Sequence, residues 1–164
     1  MKLWTSLVAA MLLTACASYS GSGLAPGAAR LEEVQALMGS PALRWQDADG
    51  SVQLAYPRGP FGFETYMVKL GPDGRLQSIA NVLNEETFAR IRAGMSKDEV
   101  LRLIGPPDYG QSAYFKARDE LAWDWRFREV YGNPARFIVL FDATAGTVRS
   151  TLILPEYHRR RGFR

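Results

Sequence analysis

The apolar positions of this chain recur in two copies of one pattern. Val34, Leu37 and Met38 stand at helical spacing in Leu31–Pro41, and Val100, Leu103 and Ile104 repeat the spacing in Lys97–Pro107. The offset between the two segments is 66 positions. Each helix pattern stops at a glycine, Gly39 or Gly105, with a proline two positions on, the signature of a helix end. Ser96 and Glu99 form the S-x-x-E of a capping box. Further on, Gln53-Leu54-Ala55-Tyr56 aligns with Glu120-Leu121-Ala122-Trp123 at offset 67. Apolar or alternating runs at 64–70, 75–82, 136–141 and 147–154 read as strands, joined by the turns Pro72-Asp73-Gly74 and Ala143–Gly146. Each copy therefore predicts a helix followed by three antiparallel strands. Asn84–Arg92 adds a short helix before the second copy, with Phe88 and Ile91 on its buried side. The expected fold is α+β, a tandem of small units packed side by side, with the two three-stranded sheets either joined or separate.

The amino terminus has a different pattern. Lys2 precedes an apolar run, Leu3–Leu13, too short to span a bilayer, and the reading is a signal peptide. Leu13-Thr14-Ala15-Cys16 then resembles a bacterial lipobox. The resemblance implies cleavage between Ala15 and Cys16, lipid on the Cys16 thiol, and, with Ala17 next, an address at the outer membrane. A plain secretory signal is the alternative, and it would leave a free thiol in an oxidising compartment. Residues 17–28 are rich in Gly, Ser and Ala and predict a flexible tether. The expected divisions are 1–15 signal, 16–28 tether, 29–82 first repeat, 83–155 second repeat and 156–164 basic tail.

Composition removes several functions. The chain of 164 residues has one Cys and one His. An internal disulfide and any Cys-rich or two-His metal site are excluded. A Ser-His-Asp hydrolase would need His158, which lies in the tail. Asp119, Glu120 and Asp124 read as solvated strand charges. No enzymatic site emerges, and no cofactor is expected besides the covalent lipid on Cys16. Lys and Arg total 20 against 17 Asp and Glu, and Arg159, Arg160, Arg161 and Arg164 account for that excess. The tail is either a solvated extension or a site for anionic lipid headgroups, to which each cation contributes about 1 kcal/mol near a charged surface. Nucleic acid is not an expected partner. Trp123 and Trp125 read as core or as the interface between copies. Phe61, Phe63, Tyr114 and Phe115 read as loop aromatics, either open to a partner or folded over the core.

The second copy carries a motif. Ile91, Gly94, Met95, Ser96, Glu99, Val100, Ile104, Gly105 and Pro107 fall as in I-x-x-G-M-[ST] followed by a short helix and its Gly-x-Pro end. This resembles the SmpA/OmlA (BamE-like) family of outer-membrane lipoproteins. The resemblance implies two helices on a three-stranded antiparallel sheet, and a role in outer-membrane protein assembly or envelope integrity. It also implies a periplasm-facing body and an envelope protein partner, the β-barrel assembly machine. Most of the motif residues have a structural reason, so they read as scaffold. In the first copy Ala28 and Ala29 occupy the places of Gly94 and Met95. The tandem architecture is also similar to β-lactamase-inhibitor protein, which implies an alternative role: binding an enzyme cleft through a sheet shared by both copies and through the aromatic loops.

Overall fold

The protein is described from a computed structural model over residues 20–59 and 62–156. The signal sequence, Ala15, Cys16, Phe61, His158 and the arginines Arg159, Arg160, Arg161 and Arg164 lie outside the described residues. The chain runs α1 (Leu31–Met38), β1 (Leu43–Gln46), β2 (Val52–Pro57), β3 (Thr65–Leu70) and β4 (Leu76–Asn81). It continues through α2 (Glu85–Phe88), α3 (Lys97–Ile104), β5 (Ala113–Phe115), β6 (Glu120–Arg128), β7 (Pro134–Asp142) and β8 (Val148–Pro155). The strands form two four-stranded antiparallel meanders, β1-β2-β3-β4 and β5-β6-β7-β8. The sheets are separate. Each has one strand more than the sequence pattern indicates, β1 or β5, added at an outer edge. Both are short: the LRWQ of β1 alternates over only four residues, and the AYF of β5 is apolar throughout and shows no alternation.

The duplication goes deeper than the sequence match. Both helices have eight residues and end on a glycine in a conformation that side chains avoid, Gly39 at φ 82°, ψ −163° and Gly105 at φ 75°, ψ −172°. An aromatic donor closes each end: Tyr56 Oη donates to the Gly39 carbonyl and Trp125 Nε1 to that of Gly105, both at 3.2 Å. The Ala42 N–H bonds the Ala55 carbonyl just as the Asp108 N–H bonds that of Asp124. The structural counterpart of Tyr56 is therefore Trp125 and not Trp123. The QLAY/ELAW match is displaced by two positions, because the connection before β6 is longer. Both last hairpins carry a bulge, at Lys69/Leu70 and Leu140/Phe141.

The motif glycine also survives in the first copy. The Gly94 N–H bonds the Val148 carbonyl, and the Val148 N–H bonds that of Met95, each at 2.8 Å. In the first unit the Gly27 N–H bonds the Leu76 carbonyl at 2.7 Å, and the Leu76 N–H bonds that of Ala29 at 2.8 Å. Gly27 thus does the work of Gly94, one position earlier than the ungapped alignment places it, and both adopt positive φ. For the same reason residues 20–28 do not trail free. Gly21 is buried against Ile79 and Met38, and Leu24 packs on the first core.

Each unit has its own core. Val34 and Met38 of α1 pack with Leu54, Tyr56, Val68, Leu70 and Leu76. Val100 and Ile104 of α3 pack with Phe88, Ile91, Trp125, Phe127, Phe137 and Phe141. Phe88 stacks on Phe137 at 3.9 Å and meets the edge of Phe127. As expected, α2 buries Phe88, and Ile91 follows it into the core; Asn84 caps it by accepting the Thr87 N–H at 2.9 Å. Ser96 and Glu99 make a reciprocal capping box.

The units join through α3. Strand β2 is buried on both faces: Leu54 and Tyr56 face α1, while Ala55 faces the other way. On that second face Ala55, Thr65 and Met67 are also buried. What covers them is the second unit's helix. Gln53 Nε2 donates to the Arg102 carbonyl, and a Cβ built on Gly105 would lie 2.7 Å from Thr65 Cγ2 and 3.6 Å from Ala55 Cβ. Around this contact Trp45 Nε1 donates to Asp98 Oδ1 at 3.0 Å, and Arg102 pairs with Asp47 at 2.8 Å. The layers are α1, first sheet, α3 with α2, second sheet.

Gly105→Ala and Gly39→Ala separate strain from packing. Both force a side chain into the same disfavoured backbone region, worth about 1–3 kcal/mol. Only at Gly105 does the new methyl strike the other unit; at Gly39 nothing lies within 4 Å. Urea unfolding of the two variants is expected to show the larger loss for Gly105→Ala. Equal losses would deny the close approach of α3 to β3.

Candidate functional site

The junction of the two units opens into a cleft of about 460 Å³. One wall comes from the first unit: Ala42 and Leu43 where β1 begins, Pro57 at the end of β2, and Gly59, Gly62, Glu64 and Thr65 around the next turn. The other wall is the chain leaving α3, Pro106 to Gly110, with Trp125, Arg126 and Leu83. Neither unit forms this space alone. The prolines follow from the helix end: Gly105 turns the backbone, and Pro106 and Pro107 carry it out to meet β6, where the Asp108 N–H takes the Asp124 carbonyl. The walls are mainly apolar, with charge at the rim. Each rim group is held by a partner within the chain. Glu64 pairs with Arg58 at 3.2 Å, Asp108 accepts the Gly110 N–H at 3.0 Å, and Arg126 binds Glu156 through several contacts of 2.7–2.9 Å.

The rim continues onto the outer face of the second sheet. Phe63, from the first unit, lies 4.3 Å from the Arg126 guanidinium carbon and 4.2 Å from that of Arg128. It is half-buried, so it ties the two units together and is not an open loop aromatic. Arg136 bonds Asp124 at 3.1 Å and approaches Glu156 at 3.7 Å. Asp124 is a correction to the sequence reading: it is buried and paired, not solvated. Burial pushes its carboxyl above the ordinary aspartate value, and Arg136 opposes that shift without cancelling it. Asp119 has a structural role too. It sits at φ 46° and accepts from the Thr144 N–H and Tyr114 Oη, and the Thr144 contact leads in holding its carboxyl below the usual range.

Trp123 and Trp125 are buried in the second core. Tyr114 and Phe115 are open, at 56% and 42% exposure, but on the short strand β5 and not in a loop. Tyr109, at the cleft, is 60% exposed and touches Trp123 edge-on. Of the motif residues, Ile91, Val100, Ile104 and Pro107 are buried, and Met95 packs on the second core. Gly94, Ser96, Glu99 and Gly105 set turns and caps. The cleft was not visible in the sequence, since its residues come from segments far apart in the chain and gather only when the units dock. A hint lay in the Pro106-Pro107 pair followed by Tyr109.

Among the described residues no group of His, Cys, Asp and Glu is arranged to hold a metal ion, and no helix is long and apolar enough to cross a membrane. The fold defines the class as mixed α+β, with two four-stranded antiparallel sheets and few helices. Beyond that class, comparison with protein-family models, curated proteins and solved structures finds no match to the chain.

Asp124 gives a pH test. Its folded pKa is raised, so the folded state holds a proton that the unfolded chain has already lost. That contribution is present below the unfolded value, about 3.9, and is lost as pH rises through the folded value. Stability measured against Asp124→Asn is therefore expected to move against the native chain as pH rises from about 3 through the folded value. A difference that moves in its favour would mean that Arg136 dominates.

Proposed function

We propose that this protein is an outer-membrane-anchored, periplasm-facing lipoprotein. It acts as a binding or scaffold module in outer-membrane protein assembly or envelope integrity. Support for the anchor is Leu13-Thr14-Ala15-Cys16 after its apolar run. Support for a binding role is the junction: duplication builds an apolar-walled cleft across both units, with the exposed ring of Tyr109 beside it. The resemblance to the SmpA/OmlA family supplies the setting. Its partner would be an envelope protein, with the β-barrel assembly machine first among candidates, and the tail arginines would add contact to anionic lipid. The inhibitor alternative draws on a concave sheet face presented by both copies and on the aromatic loops. The sheets stack with α3 between them, which does not favour one shared sheet face, and of its loop aromatics Tyr114 and Phe115 are exposed on β5.

Two measurements test the proposal. Cys16→Ser is expected to move the protein from the membrane fraction to the soluble periplasm; retention in the membrane would refute the lipid anchor. Pull-down from solubilised envelopes is expected to enrich subunits of the assembly machine over an unrelated lipidated control. Equal recovery from both would remove the assembly role while leaving the anchor standing.

A further inference from the structure

Among the described residues, the second sheet ends in an open edge. The Glu156 N–H bonds the Pro134 carbonyl, and the Asp142 N–H that of Thr147, so alternate residues of β8, Leu154, Leu152 and Ser150, turn their backbone groups toward β7. Past the bulge, Val148 turns its groups outward, where Gly94 and Met95 take them. Thr151 and Ile153 also turn outward, and their N–H and C=O groups have no partner among the described residues. Pro155 follows, with no N–H to offer. Among the described residues the edge is thus closed at both ends and open between them.

A notch lies beside this opening. Glu85 and Phe88 of α2, Ala89 just after it, Phe137, and Thr151 to Ile153 enclose about 330 Å³. Ile153 is 40% exposed on the α2 side and Leu154 46% exposed on the other. At the matching place in the first unit, Gly21 lies so close to Ile79 that a Cβ there would fall 2.5 Å from Cδ1. The bulge and Pro155 blunt the two ends of this edge, whereas Thr151 to Leu154 carries neither charge nor proline.

We propose that β8 receives an extended segment of another protein as a fifth strand, paired through Thr151 and Ile153. A large apolar side chain of that segment would enter the notch between α2 and β8, and a Lys or Arg would face Glu85. A second copy of this chain fits less well. Edge-to-edge pairing of two β8 strands would put both α2 helices, each with the exposed Glu85 that lines its notch, on one face of the joined sheet, so that like charges share that face. The inference concerns chemistry at the edge and stands whether or not the envelope reading holds.

The probe is a fluorescein-labelled octapeptide of threonine and valine with a central leucine and one lysine, titrated onto the full chain. Ile153→Pro removes an outward N–H and leaves the β7 ladder intact, so the variant keeps its circular dichroism. It is expected to weaken binding roughly tenfold or more. Ala89→Leu, which fills the notch, does the same without touching the strand. Of two peptides N-methylated on alternate residues, one is expected to bind like the parent and the other not. The proposal is overturned if no peptide binds at about 1 mM, if both N-methylated forms bind equally, or if both variants bind like the native chain. A concentration-dependent dimer that Ile153→Pro abolishes would assign the edge to a second copy instead.

Discussion

Everything in this molecule depends on one helix having two buried sides. Val100 and Ile104 give α3 its place in the second core. The opposite side, from Arg102 to Gly105, closes the back of the first sheet over Ala55 and Thr65. A unit of this size buries little apolar surface alone. The first sheet gains a second covered face only by borrowing a helix from the next repeat. Gly105 makes the loan possible, since it ends the helix in a conformation that needs glycine and leaves no Cβ between α3 and Thr65.

The rest follows from that docking. The chain leaving Gly105 must pass over the first sheet to reach β6, and this path makes the cleft. Phe63 then meets Arg126 and Arg128 across the same junction. The surface ion pairs around α3, such as Arg102 with Asp47, are partly exposed, and each adds at most about 1 kcal/mol. Burial of Ala55, Thr65 and Met67 and the tight fit at Gly105 carry the interface; the charges orient it.

Much of the fold was legible. Helix stops at Gly39 and Gly105, the capping box at Ser96, the two last hairpins and the buried Phe88 and Ile91 all rest on local chemistry that sequence spacing exposes. What was not legible rests on longer-range geometry. Two edge strands were missed because four alternating residues in β1, and three apolar ones in β5, are too few to establish a period. The match of Tyr56 to Trp123 followed identical letters, whereas the fold aligns the aromatics by what they hold, the terminal carbonyl of each helix. The glycine of the first copy was hidden by a one-residue shift. Asp124 looked solvated because its burial comes from its neighbours in the folded sheet, Arg136 among them. The cleft was invisible for the same reason.

The central claim is that two repeats form one cooperative body through α3. Hydrogen exchange under increasing denaturant tests it directly. Amides in β2 and β3 of the first sheet and in β6 and β7 of the second are expected to merge onto one unfolding isotherm. If β2 and β3 open separately, at a lower free energy and with α3 still protected, the units are merely neighbours and the shared helix is not what holds them.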